Sequence, residues 1–292
     1  MVPEEVADEP AVVDPSTITL ENGDTIAYGE YGDPEGNPIV LFHGTPGSRL
    51  LGALFDDIAA TAGVRLLTFD RPGFGQSDPC PTRSITDAGR YVTTVLDDAE
   101  IETTALLAFS GGSQHAIATA ATDDDRVARV DIVSGATPPA ASDATPAMQR
   151  ALGMLATHTP TVLRGLFRGQ AWMANRRDPS FVVSQYRGAD PDTPIDEQVA
   201  AVVKADFLEA VANSRQGVVT EFRNTATEWE IEFSALDVPI VIWHGDNDTN
   251  VPIENAQQFA EETNGALRVT ENGDHLQTLV ESVPTICEAW GK

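Results

Sequence analysis

Leu106-Leu107-Ala108-Phe109-Ser110-Gly111-Gly112-Ser113-Gln114-His115-Ala116 is the stretch on which the reading of this chain turns. An apolar run from Thr104 to Phe109 stops at a serine. Two glycines follow at once, and an alanine-rich segment with helical spacing begins at Ala116. The pattern predicts a strand, a very sharp turn and a helix, with Ser110 at the apex. A serine held there has its hydroxyl pushed clear of the sheet, and the next amide points at whatever the hydroxyl attacks. Small flanking residues are needed because the strand and helix backbones nearly collide. Ala108 and Gly112 meet that need, although Ala108 stands where the G-x-S-x-G pattern has glycine. Taken alone, small-x-Ser-x-small also fits an ordinary strand-to-helix turn, so the surrounding chain must decide.

On the N-terminal side, Thr17–Leu20, a turn at Asn22-Gly23-Asp24, and Thr25–Tyr28 read as a hairpin. Ile39-Val40-Leu41-Phe42 is apolar throughout, as expected of a strand buried on both faces, and runs into His43-Gly44-Thr45-Pro46-Gly47. A helix over 50–62 and a strand over 64–69 follow, ending at Asp70-Arg71-Pro72-Gly73-Phe74-Gly75-Gln76-Ser77. A further helix is predicted over 85–99. On the C-terminal side, a strand over 127–134 ends the first run of alternating elements. Helical segments then dominate over 146–157, 161–175, 195–213 and 217–226, with Phe181-Val182-Val183 the one stretch that also fits a strand. Alternation resumes with strands at 238–243 and 266–270 and helices at 253–263 and 276–290. The domain plan is therefore an acidic, disordered tail over 1–15, an α/β core over 16–137 and 236–292, and a helical insertion over 138–235 that forms a lid. The fold class is α/β, a mostly parallel central sheet with helices on both faces. Right-handed crossovers put every parallel strand's C-terminal end on one edge, where such sheets bind ligands.

Bulk composition excludes several classes of function. Forty-five acidic residues against 18 basic ones give a formal charge of −27, and only Lys204 and Lys292 are lysine. Such a surface repels nucleic acid and anionic membranes, so neither is expected as a partner. An acidic, lysine-poor chain fits a protein working in molar salt that screens its self-repulsion, as in a halophile. The expected outcome is a Tm that rises steeply with KCl; a flat or falling Tm between low and molar KCl would refute it. Cys80 and Cys287 are too few for a disulfide scaffold or a four-ligand zinc site. No other grouping has metal-ligand spacing and no loop has a phosphate-binding pattern, so no metal or cofactor is expected. An acidic N-terminus without an apolar stretch, and no apolar run of membrane-spanning length, lead to the expectation of a soluble cytoplasmic protein. A homodimer is left open.

Four strand ends on the one edge carry chemistry: Thr45 after an early strand, Ser110 after the next in the set, Asp246 and Asp248 after the first strand beyond the insertion, and His275 after the last. In chain order Ser, Asp, His, this set resembles the α/β-hydrolase fold superfamily. The likeness runs from about residue 16 to the C-terminus and is weakest through the insertion. His43-Gly44-Thr45-Pro46-Gly47 resembles the family's oxyanion loop, Gly245-x-x-Asp248 its acid loop, and Gly273-Asp274-His275 its histidine loop. The resemblance implies acyl transfer, with Ser110 as nucleophile, His275 as base, Asp248 as orienting acid, and the amides of Thr45 and Gly111 as oxyanion hole. Phe109, beside the nucleophile, is a candidate for the substrate pocket. The G-x-x-D spacing favours Asp248 over Asp246, which is expected to bond its own turn. His43, His244 and Asp70 are expected to be structural, Asp274 a surface turn residue, and His115 a core or loop contact. The loop and elbow look most like the esterase and proline iminopeptidase-like branch. An aminopeptidase would need a carboxylate for the substrate amine, and Glu209 or Glu221 of the insertion are candidates. The lid's apolar residues, from Met148 and Leu152 to Trp172 and Met173, are expected to pack between lid and core. The alternative from another class is a ligand-binding or sensor protein that retains the fold and turns over slowly or not at all.

Overall fold

The computed structural model describes residues 14–122, 124–139, 147–187 and 195–291. The greater part of the tail expected over residues 1–15 lies outside them. Eight strands form one sheet: β1 (Ser16–Thr19), β2 (Thr25–Gly32), β3 (Asn37–Phe42), β4 (Val64–Phe69), β5 (Thr104–Phe109), β6 (Val127–Val133), β7 (Ile240–Gly245) and β8 (Ala266–Thr270). Their order is β1-β2-β4-β3-β5-β6-β7-β8. The hairpin β1–β2 and the β2–β4 pair are antiparallel, and every pair from β4 to β8 is parallel.

Successive side chains point to opposite faces of the sheet and both faces are buried, which is why the strands read as continuous apolar runs. Ile39 and Leu41 of β3 enter one core and Val40 and Phe42 the other. On β5, Ala105, Leu107 and Phe109 share the first face while Leu106 and Ala108 share the second. The first face is covered by α1 (Asp56–Ala62) and α10 (His275–Trp290), and the second by α2 (Ala88–Asp98), α3 (Ser113–Thr122) and α9 (Ile253–Thr263).

Two predicted helices are shorter than their sequence patterns. Ahead of α1, residues Arg49–Phe55 form a tighter 3-10 helix, started by the Ser48 hydroxyl accepting from the Leu50 amide. Gly52 sits there against the Tyr31 ring, where a Cβ would lie 2.4 Å from ring carbons. The helix predicted from 85 starts only at Ala88, because the Asp87 carboxylate is engaged backwards by the amide and hydroxyl of Ser84.

Between β6 and β7 run α4 (Ala147–His158), α5 (Pro160–Ala174), α6 (Ser180–Val183), α7 (Glu197–Ala210) and α8 (Gln216–Thr225). Phe181-Val182-Val183 is a helical turn, not a strand, because Pro179 and Ser180 open it and, among the described residues, no strand pairs with it. These helices touch the loops at the strands' C-terminal ends through Asp206 on Ser48, Glu209 on Arg49, Glu221 on Arg71 and Gln149 on Asn250. Leu163 and Phe167 are buried and Leu152 and Leu155 half-buried, as packing requires. Met148, Met154, Leu166, Trp172 and Met173 are exposed, contrary to the expectation that they pack inward, because they lie on the helix faces turned away from the core. No helix among the described residues is long and apolar enough to cross a membrane.

Candidate active site

β5 delivers Ser110 as the sequence pattern requires. The strand is buried along its whole length, and α3 starts three residues later at Ser113. Ser110 has φ +52°, a left-handed conformation that a non-glycine residue adopts at a cost of order 1–3 kcal/mol, held here by its surroundings. Its carbonyl accepts from the Ala136 amide at 2.9 Å, and the Ser113 hydroxyl donates to the Ala136 carbonyl, so the turn is clamped to the segment after β6. The crowding expected at the elbow is present. A Cβ on Gly112 would lie 2.5 Å from the Phe42 carbonyl oxygen. Ala108, the residue that departs from the motif, is fully buried in the second core.

His275 opens α10, and Asp274 caps that helix by accepting from the amides of Leu276 and Gln277 at 3.1 and 2.8 Å. Asp274 is thus a buried helix cap that also faces Arg187 at 3.7 Å, not a surface turn residue; the helix needs its carboxylate. His275 Nδ1 lies 2.7 Å from Asp248 Oδ2. The other Asp248 oxygen accepts from the amides of Asn250 and Val251, which aims the carboxylate. Burial raises the Asp248 carboxyl, but His275, His244 and the Val251 amide outweigh it and hold the group below the usual carboxylate range. Asp246 is exposed, and its amide donates across to the Thr270 carbonyl at 3.2 Å, which ties this loop to β8. His244 Nε2 donates to the Val251 carbonyl at 2.9 Å, as a structural residue would.

The loop after β3 lies against the elbow. A Cβ on Gly44 would sit 3.2 Å from the Phe109 ring and 3.6 Å from Ser110 Cβ, and one on Gly111 would sit 2.4 Å from Thr45 Oγ1. Thr45 and Gly111 are thereby neighbours. His43 is fully buried, with Nδ1 donating to the Gly44 carbonyl and Nε2 accepting from the Arg71 amide. Burial and the Arg71 charge keep its imidazole well below its ordinary pKa, so it stays neutral. Arg71 holds the same loop by donating to the His43 and Gly44 carbonyls and to Thr45 Oγ1.

Residues 37–282 match the family model for the alpha/beta hydrolase fold. The chain belongs to the α/β-hydrolase fold family. A hydrolase named YcgS from Bacillus subtilis, itself uncharacterised, is 24% identical over 264 residues, covering 86% of this chain and 87% of the relative. A 2-hydroxy-6-oxononadienedioate/2-hydroxy-6-oxononatrienedioate hydrolase from Cupriavidus pinatubonensis is 24% identical over 81% of this chain and 80% of its own. The crystal structure of a bromoperoxidase from Bacillus anthracis superposes with a TM-score of 0.73 at 19% identity, over 94% of this chain and 98% of that one. Together these support an enzyme of the α/β-hydrolase type with a hydrolytic function.

In this α/β-hydrolase, a narrow cavity is lined by Gly44, Phe109, Tyr186, Val203, Asp206 and Leu276. Phe109 stands on its wall. Tyr186 was not legible as a site residue: its ring stacks on His275 with centroids 6.2 Å apart and planes 13° apart. Ser134 was also missed, and its hydroxyl donates to the His275 carbonyl at 3.2 Å. The two carboxylates singled out for a substrate amine are committed elsewhere. Glu209 pairs with Arg49 at 2.6 Å, and Glu221 is enclosed by Arg71, Arg83, His115 and Gln114. Asp70 likewise pairs with Arg49, at 2.8 Å. The carboxylate that lines the cavity is Asp206.

Asp206 Oδ1 accepts from the amide and hydroxyl of Ser48 at 2.7 and 2.8 Å. Burial dominates over those bonds and pushes its pKa up to about 7. The folded carboxyl thus keeps a proton that an unfolded aspartate gives up near its model value of 3.8. Stability from this group is complete below that value and is lost as pH rises towards 7 and above. Asp206→Asn keeps an acceptor for Ser48 and removes the titration. The variant is expected to be about 1–3 kcal/mol more stable than wild type at pH 8, with the gap closing by pH 4. Denaturant unfolding at the two pH values measures this, and a gap independent of pH would disprove it.

Proposed function

We propose that this α/β-hydrolase is a serine hydrolase that cleaves a small ester or amide through an acyl-enzyme on Ser110. The observation that carries the reading is the conjunction of a left-handed Ser110 at the end of β5 with the His275–Asp248 pair at 2.7 Å, with the Phe109 ring 5.0 Å from the His275 ring. His275 Nδ1 is taken by Asp248, which leaves Nε2 for the serine.

In this reading His275 Nε2 accepts the Ser110 proton as Oγ attacks the substrate carbonyl, because a free serine hydroxyl is a poor nucleophile. The Asp248 carboxylate, kept ionised by its surroundings, stabilises the imidazolium and fixes the tautomer. The amides of Thr45 and Gly111 receive the oxyanion, a contribution of about 3–4 kcal/mol per donor. The tetrahedral intermediate collapses, and the leaving alcohol or amine takes the proton from His275. A water then gives its proton to the same nitrogen, attacks the acyl carbon and frees Ser110. Serine at the elbow favours acyl transfer over epoxide opening or halide displacement, for which the resembling branches use aspartate. The helices between β6 and β7 act as a lid whose residues Tyr186, Val203 and Asp206 shape the acyl site. The substrate is a small molecule; a charge of −27 tells against nucleic acid.

A fluorophosphonate probe tests the reading. Wild type in molar KCl is expected to be labelled and Ser110→Ala not. Absence of labelling in wild type would instead favour a ligand-binding protein that keeps the fold. Among labelled preparations, p-nitrophenyl esters compared with aminoacyl naphthylamides separate an esterase from an aminopeptidase.

A further inference from the structure

Six of the seven large apolar side chains that are exposed among the described residues lie on two neighbouring helices: Met148 and Met154 on α4, and Val162, Leu166, Trp172 and Met173 on α5. On α5 the spacing makes a continuous stripe. Val162, Leu166, Gly169 and Met173 follow at intervals of three and four, while Leu163, Phe167 and Ala174 turn inward. Gly165 and Gly169 lie along the stripe with nothing within 4 Å of where their Cβ atoms would be. The stripe has no covering from the rest of the described residues.

The same stretch departs from the chain in charge. Residues 144–177 contain no aspartate or glutamate, in a chain with 45 of them, and hold five of its arginines: Arg150, Arg164, Arg168, Arg176 and Arg177. All five are exposed. Arg164, Arg168 and Trp172, at i, i+4 and i+8, form a separate row across the exposed face of α5 from the stripe, and Arg176 stacks on Trp172 with its guanidinium carbon 4.2 Å from the ring centroid. The overall charge of −27 argues against an anionic partner for the molecule as a whole, but on this face the sign is reversed. The acidic remainder acts over no more than a Debye length of about 8 Å at physiological ionic strength.

We propose that the outer face of α4 and α5 is a docking surface for an anionic lipid bilayer. Leu166, Met173, Val162 and Trp172 enter the boundary between headgroups and acyl chains, and Arg164 and Arg168 meet the lipid phosphates. The side chains that protrude are flexible or amphipathic and carry no hydrogen-bond acceptor. A fluid surface suits them without the shape complementarity a protein partner must supply. Two copies of the chain meeting through this same face would bring like charges together with no acid in either stretch to pair them. This binding is independent of the chemistry at Ser110.

The test is flotation of the full chain with vesicles of pure phosphatidylcholine and with vesicles containing equal parts phosphatidylcholine and phosphatidylglycerol, at about 0.15 M and at molar KCl. Partitioning onto the anionic vesicles is expected to exceed that onto neutral ones by on the order of tenfold at about 0.15 M KCl, where the acidic remainder is screened. Leu166→Asp with Met173→Asp is expected to lower it by at least about tenfold. Arg164→Gln with Arg168→Gln is expected to erase most of the anionic preference, and Val269→Asp, the remaining exposed apolar site, to change nothing. Circular dichroism verifies that each variant is folded. Failure of wild type to float with either vesicle overturns the proposal, as does equal flotation of the Leu166/Met173 variant. Sedimentation showing a wild-type dimer that this variant dissociates, with no vesicle binding, would assign the face to a second copy instead.

Discussion

Ser110→Ala is expected to lower kcat by about 10⁴-fold or more on any ester the protein turns over, with KM little changed. The alanine keeps the elbow's backbone and removes only the oxygen that forms the acyl bond, so unfolding free energy should move by less than about 1 kcal/mol. His275→Ala should cost a comparable factor, and the double variant little more than either single one, because nucleophile and base act as a unit. Asp248→Asn should cost about 10⁴-fold, since the amide can present the wrong hydrogen-bonding group to His275 Nδ1. Initial rates with a p-nitrophenyl ester, alongside denaturant unfolding, separate these effects. A Ser110→Ala protein retaining a tenth of wild-type kcat would remove Ser110 from the mechanism.

Glu221→Gln should be strongly destabilising. Glu221 is fully buried on α8. It accepts from Gln114 at 2.9 Å and Arg71 at 3.4 Å, faces His115 at 2.9 Å, and pairs with Arg83. Burial works against its charge, yet the Arg71 and Arg83 guanidiniums and the hydrogen bond from His115 outweigh it and hold the carboxyl well below its usual range. His115 is itself pushed down to about 4, mainly by burial, so it sits neutral beside an ionised Glu221. A neutral glutamine leaves two buried guanidiniums without a counter-charge, at a cost of about 3–5 kcal/mol. For a chain of this size that lowers Tm by roughly 10 °C. Adding Arg83→Met should recover part of the loss, because it removes one of the uncompensated charges. Since the folded pKa of Glu221 is depressed, its stabilisation is present above the unfolded value and fades as pH falls through the acid range, and the variant should lose that dependence. Arg71 also holds the His43 and Gly44 carbonyls, so kcat should fall with stability. Calorimetry and guanidinium unfolding at pH 7 read the first effect, and an unchanged unfolding midpoint would show that the cluster does not bear this charge.

The strands of the parallel sheet were legible from residue order because a strand buried on both faces must be apolar at every position. That is why Ile39–Phe42 and Thr104–Phe109 were placed to within a residue or two of β3 and β5. The elbow was legible for a related reason: a backbone collision admits only small residues, and Ala108 and Gly112 are the trace it leaves. Ser110, Asp248 and His275 could be grouped because their strand ends share an edge, and the roles expected of them came from the resemblance to the family.

The helical segment hid more. Its inward and outward residues share a helical period, so Met154 and Leu166 looked like packing residues until their faces were known. Asp274 reads as a turn residue in sequence because its role as a cap depends on where α10 begins.

Local pattern therefore specified the strands and the turn at Ser110, because burial and backbone crowding act on neighbours in the chain. Partnerships between distant segments came from packing: Glu221 with Arg71 and Arg83, Asp206 with Ser48, Tyr186 over His275. A carboxylate reads alike in sequence whether it meets a guanidinium, a serine or water. Which it meets is set by how the helices between β6 and β7 lie across the strand ends, and that placement is a sum of many weak apolar contacts that no short stretch encodes.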